Sequence, residues 1–272
     1  QAGDSLTDAD YNVAVGVSAL GSDTLGSRSV ALGAASLANQ NFTSATDAYN
    51  VAVGYNAGND ITTGTQNTLI GGLAGDALTD ADYNVAIGHA ALGADTLGSR
   101  SVAIGWKALD IQNFTSATSA YNTAVGFEAG GAVTTGLQNT LIGGLAGDAL
   151  TDADNNVAIG YDALSADTLG SRSVAIGRSA LTSQNFTSAT NTYNVAMGYQ
   201  AGFNVTTGYW NTMVGGEAGS ALTSGHNNLF LGKDAGITGS PGGNFTSHSE
   251  RIVLGDHDIA EANIQVDWTV AS

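Results

Sequence analysis

Apolar and polar positions along this chain follow one short pattern that returns from end to end. It reads polar, apolar, small, apolar, glycine, and is first met as NVAVG at residues 12–16. It returns as SVALG at 29–33, NVAVG at 50–54, NTLIG at 67–71 and NVAIG at 84–88, and so on to RIVLG at 251–255, fourteen copies in all. From Val13 onward the steps between equivalent residues are 17, 21, 17 and 17, and this 72-residue cycle recurs until a last step of 23. A fixed period of this size is the signature of a solenoid.

Alternation within a strand puts Val13 and Val15 on one face and Ala14 on the other. The first and third places are Val, Ile, Leu, Met or Thr throughout and are expected to fill the interior of the coil. The middle place is apolar too, where water would call for a polar residue: Ala14, Ala31, Ala52, Leu69, Ala86, Ala103, Ala124, Leu141, Ala158, Ala175, Ala196, Met213, Phe230 and Val253. A strand apolar on both sides is covered on both sides. These fourteen residues are therefore expected to line the axis of a closed ring of identical chains, three in number, where small side chains let backbones approach. The fold class is all-β: a parallel β-roll or β-solenoid of about fourteen rungs, assembled as a homotrimeric rod.

After each pentad except the last comes Gly-x-x-Ala followed by Leu or Gly, as in GVSAL at 16–20 and GYNAG at 54–58, with Ser36 the one departure from Ala. The glycine is expected to turn the backbone where a side chain would clash, and the Ala-Leu to return toward the core. Four polar loops used in rotation join the rungs, and at ~4.8 Å per stacked strand the rod is on the order of 65 Å long. Regularity ends near residue 236. Residues 1–236 read as a repeat shaft, and 237–272, with the single proline at Pro241, as a last rung and C-terminal cap. Gln1 falls inside a rung and reads as a cut through a longer fibre, with further segments expected before it.

Composition narrows the partners. With 38 Gly, 11% charged and 43% hydrophobic residues, the chain is turn-rich yet apolar enough to fold. A net charge of −17, tripled in a trimer, repels nucleic acid and anionic membranes. No apolar run reaches the ~20 residues of a membrane span, and the absence of cysteine rules out disulfide staples.

Two resemblances give these features a context. SVAIGRSAL at 173–181 resembles the head repeat of trimeric autotransporter adhesins of the YadA type, whose heads are parallel β-rolls associated in threes. NVAMGYQAGFNVTTGYWNTMVG at 194–215 is closer to repeats in bacteriophage tail fibres, and residues 251–272 resemble the segment preceding the endosialidase-type chaperone of such fibres. That resemblance implies release of the chaperone by cleavage after Ser272. The expected function is then a structural trimeric shaft of a phage tail fibre serving host attachment, located in the virion. The alternative is the head of a bacterial surface adhesin, at the cell surface, followed by a coiled-coil stalk. Ice binding is a remote third, since Thr62-Thr63 and Thr134-Thr135 recur only every fourth rung.

Candidate chemistry is sparse. The paired carboxylates Asp8/Asp10, Asp80/Asp82 and Asp152/Asp154 are oxygen-rich enough for calcium but lack the EF-hand and calcium β-roll glycine spacing. Asx-turns account for them without metal, and no cofactor is expected. Of the histidines only His257, in GDHD at 255–258, has carboxylate neighbours, and a rod of small residues offers no pocket for acid, base and nucleophile. The chain is expected not to be an enzyme. Tyr55, His89, Trp106, Phe127, Tyr161 and Tyr199 follow the pentad glycine and are expected to shield the corner of the coil, whereas Tyr209 and Trp210 are candidates for recognising a host glycan or protein. The Asn-Phe-Thr sequons at Asn41, Asn113, Asn185 and Asn244 are expected to reflect repetition only.

Overall fold

The structure, a computed structural model, describes residues 1–240 and 242–260. Every pentad forms a three-residue strand, from Val13–Val15 to Ile252–Leu254, and the fourteen strands join in sequence order into one parallel sheet. No helix occurs among the described residues, and the chain winds as a parallel β-solenoid of about thirteen turns. Equivalent residues stack in register, Ala14 on Ala31 and Val51 on Thr68, whether the intervening step is 17 or 21 residues. Each longer step carries the second, two-residue strand of a small parallel pair: Gly26–Ser27 with Thr46–Asp47, Gly98–Ser99 with Thr118–Ser119, and Gly170–Ser171 with Thr190–Asn191. The 23-residue step is also absorbed, since Ile252–Leu254 pairs with Leu229–Leu231.

The two faces of the strand are the reverse of those expected from the sequence. Ala31, Ala52, Leu69, Ala86, Met213 and Phe230 are fully buried within the single chain, as are Ala103, Ala124, Leu141, Ala158, Ala175 and Ala196; Val253 is nearly so, and Ala14 packs on the core at the end of the rod. These residues fill the inside of the coil and cannot line an axis between chains. The first and third places point outward instead. The reason is volume. Each coil is narrow and already receives the Ala-Leu of the following turn, as at Ala91 and Leu92, so a small middle residue fits between them.

Where the middle residue is large, the coil compensates. Leu69 faces Gly75 rather than a leucine, and a Cβ on Gly75 would lie 2.8 Å from its Cδ2. Leu141 with Gly147 and Met213 with Gly219 repeat the exchange. From Ser29 to Asn228 the polar residue opening each pentad is buried, and the asparagines bridge rungs: Asn50 Oδ1 accepts from the Asn67 amide at 2.9 Å, Asn67 Oδ1 from Asn84 at 3.0 Å, and Asn84 Oδ1 from Ser101 at 2.9 Å. A buried column of side-chain acceptors fixes the register that backbone pairing alone would leave free to slip.

Candidate interaction surface

Four residues of each rung face outward side by side. The middle two are the first and third places of the pentad, and they form an apolar stripe along the sheet. Val15 at the end of the rod is 58% exposed, and Ile70, Met197 and Leu231 within it are also exposed. The stripe is flanked by a leading column, the residue before the buried Asn or Ser, and a trailing column, the residue after the pentad glycine.

The leading column holds Tyr11, Tyr49, Tyr83, Tyr121, Tyr193 and Trp210, all exposed, with Arg28, Arg100 and Arg172 between them. Arg28 lies 4.8 Å from the ring centre of Tyr11 and 5.8 Å from that of Tyr49, and its Nε reaches Asp47 Oδ1 at 2.9 Å. Arg100 sits likewise between Tyr83 and Tyr121, at 4.9 and 5.9 Å. Every one of these residues has a left-handed backbone, φ 51° to 67°.

The trailing column holds Val17, Tyr55, His89, Trp106, Phe127, Tyr161 and Tyr199. Trp106 and Phe127 stack with ring centres 4.9 Å apart. These aromatics do not shield a corner of the coil: Tyr55 is 63% exposed and Phe127 53%, because the corner is closed by the glycine and the buried Ala two residues further on. The alternation rule could not place either column, since the residues on both sides of the strand leave extended geometry.

Of the recognition candidates, Trp210 belongs to the leading column, while Tyr209 is half-buried and stacks on His226 at 4.9 Å. Ser272 lies outside the described residues. The paired carboxylates serve the loops: Asp80 Oδ1 accepts from Thr63 Oγ1 at 2.7 Å, and Asp82 Oδ1 from the Thr65 amide and hydroxyl at 2.7 and 2.9 Å. Asp152 and Asp154 repeat this with Thr135 and the Leu137 amide. Asp256, His257 and Asp258 bring one ligand atom each within 4.8 Å of one another, with His257 and Asp258 on the surface.

Sequence reasoning missed a set of buried polar groups beneath the longer loops. Asp95 accepts from the amides of Gly98 and Phe114 and from Gln112 Nε2, while Gln112 Oε1 accepts from Asn122. Burial raises the Asp95 carboxyl above its ordinary range, and the Gln112 bond pulls partly the other way. Asp23 with Gln40, and Asp167 with Gln184, repeat the arrangement. On the outer wall a shallow cavity of about 250 Å³ is lined by Lys107, Asp110, Ile111, Glu128 and Asp148. No known protein family, curated protein or solved structure matches the chain.

Proposed function

We propose that the chain is the shaft of a trimeric fibre, and that three copies associate through the outward Val/Ile stripe. The observation that carries this is the exposure pattern: among the described residues every exposed large apolar side chain except Ile111 and Ile259 lies in the four outward columns. Apolar surface gathered into one continuous band marks an interaction site, whereas scattered residues would not. The band runs on the order of 65 Å and spans roughly 15–20 Å, so each chain offers about 1,000 Å², the scale of a stable protein interface. Parallel coils of one sequence present the same band at every height, which a three-fold axis along the rod satisfies.

The working part is mechanical. Axial hydrogen bonds join each coil to the next, and association would cover the one face that the coil leaves apolar. Such a rod suits a phage tail fibre that holds a host-recognising end away from the virion and is matured by release of a C-terminal chaperone. The proposal assigns it no catalytic step. The repeat SVAIGRSAL keeps the head of a trimeric surface adhesin as a second reading, distinguished by whether the gene continues into a chaperone or a heptad stalk.

Light scattering on the purified chain, before and after mild heating in detergent, tests the assembly. A heat-resistant mass of three chains is expected. A monomer at micromolar concentration overturns the fibre reading.

A further inference from the structure

The geometry points to an aromatic seam between neighbouring copies, in which the leading column of one chain packs on the trailing column of the next. Tyr49, Tyr121 and Tyr193 seat in notches over Gly72, Gly144 and Gly216. The inference rests on the trimer reading above and adds to it which side chains meet and at what height.

Rotation about a three-fold axis brings the left edge of each outward face against the right edge of the next. If the Val/Ile stripes meet at the axis, the two flanking columns meet beside it. In both columns aromatic residues are interspersed with charged, polar or small ones, and the aromatic rings stay largely exposed within their own chain.

Backbone strain points the same way. Tyr49, Tyr121 and Tyr193 have φ of 51°, 54° and 51°, a region that a bulky residue enters at a cost and that Asn or Gly enters readily. Asn155 and Asn227 occupy the equivalent place on other rungs, so the coil accepts the easier residue. A tyrosine held there lies 5.8–5.9 Å from Arg28, Arg100 or Arg172 of its own chain and still leaves about half of its surface open to a neighbour.

The notches are the complementary feature. Gly72, Gly144 and Gly216 lie in the trailing column, and none has the backbone conformation that calls for glycine. A Cβ on Gly216 would meet nothing within 4 Å, and one on Gly72 only the edge of His89 and the Tyr55 carbonyl at 3.7 and 3.9 Å. The fold of one chain gives no reason for glycine at these positions. Each notch has aromatic neighbours in its column: Tyr55 and His89 around Gly72, Phe127 and Tyr161 around Gly144, and Tyr199 beside Gly216. The notches recur with the 72-residue cycle, roughly 19 Å apart along the rod. Of the four residues that the leading column uses in rotation, only Tyr49, Tyr121 and Tyr193 are aromatic in every cycle. Knob and notch therefore share a repeat, offset by one rung.

Because the chain has no cysteine, the seam can be read by disulfide trapping. The double variant Tyr121→Cys with Gly144→Cys places its thiols on opposite edges of one face, roughly 15 Å apart, beyond the ~7 Å Cα limit for a bridge within one chain. Oxidation is expected to give chain-to-chain dimers and trimers on a non-reducing denaturing gel, with none from Gln138→Cys, the leading-column residue of Gly144's own rung, paired with Gly144→Cys. A trimeric mass without the cross-link, or equal cross-linking by the Gln138 pair, overturns the seam and leaves the trimer standing. A monomeric wild type overturns both. Gly144→Gln gives a second reading: the coil accommodates it, so the circular dichroism of the chain stays unchanged while detergent resistance of the trimer falls. Unchanged resistance would also overturn the proposal.

Discussion

A Cβ on Gly71 would lie 2.4 Å from the carbonyl oxygen of Gly88, the equivalent glycine one coil along. The same closeness recurs from Gly16 over Gly33 to Gly198 over Gly215, at 2.2 to 2.6 Å. Backbone stands on backbone there, so no side-chain movement can relieve the contact, and the φ of 138° at Gly71 adds strain for any other residue. Gly71→Ala is expected to cost on the order of 2–4 kcal/mol and to lower the melting temperature. Gly93→Ala, at a glycine without a left-handed φ whose place Ser165 takes in the next cycle, is expected to stay within about 0.5 kcal/mol. Thermal unfolding of the two variants side by side checks the contrast.

A second prediction concerns the exchange of volume inside the coil. Leu69→Ala leaves a cavity and is expected to cost about 2–5 kcal/mol. Gly75→Leu alone overfills the same space and is expected to cost about 1–3 kcal/mol. Together they approach the Ala86 and Leu92 arrangement of the next rung, where leucine already adopts a left-handed φ of 54°, except that Leu78, whose Cδ1 would lie 2.8 Å from a Cβ on Gly75, stands where that rung has Asp95. The double variant is expected to recover part of the loss, the contact with Leu78 remaining, which a double-mutant cycle on unfolding free energies would register as a coupling above about 1 kcal/mol. Additive losses would mean that the two positions do not share one space.

That exchange also shows what the sequence made legible. Period, rung count, parallel stacking and the turning role of glycine follow from the spacing of the pentads, because one motif repeated at near-constant steps has few ways to stack. Alternation says that Val13 and Val15 share a face, but it is silent on which face is inside. A partial signal was present: Leu69, Leu141 and Met213 each coincide with glycines in place of leucine on their own rung and on the one before, Gly75 and Gly58, Gly147 and Gly130, Gly219 and Gly202, so each large middle residue takes up space left by two glycines. The leading column was hidden because DADYN reads as a polar loop, and the outward aim of Tyr83 depends on a left-handed residue that no periodicity encodes. Asp23, Asp95 and Asp167 were hidden for a related reason. A carboxylate in a polar loop is ordinarily solvated, and only the three-dimensional closure of Gln112 and Phe114 over Asp95 takes it from water.

The buried network under the longer loops yields a third prediction. Gln112 donates to Asp95 and accepts from Asn122, so its removal strips both from one partner each. Gln112→Ala is expected to cost about 2–3 kcal/mol, more than one net hydrogen bond, because it leaves buried groups unpaired. Hydrogen exchange should show the loss concentrated in the coils around residues 95–122, with coils near Val13 unaffected, since each rung contacts only its neighbours.

The last prediction is a pH dependence with a defined sign. Asp148 is half-buried beside the cavity near Lys107, its Oδ1 has no hydrogen-bond partner, and burial, reinforced by Asp162 and Glu128, raises its carboxyl from 3.8 to about 6. The folded chain thus holds this proton up to about pH 6, while the unfolded chain releases it near 3.8. Between those values the folded state binds more protons, so this group's contribution to stability falls as pH rises through the window and is fully lost above it. Acidification also relieves the repulsion of a chain of net charge −17, so a melting curve of the wild type alone would not isolate Asp148. D148N does: it removes the unpaired buried charge at neutral pH and resembles the protonated acid at low pH. It is expected to melt above the wild type at pH 7 and together with it at pH 4. An offset that is the same at both pH values would show that the carboxylate's charge is not the cause.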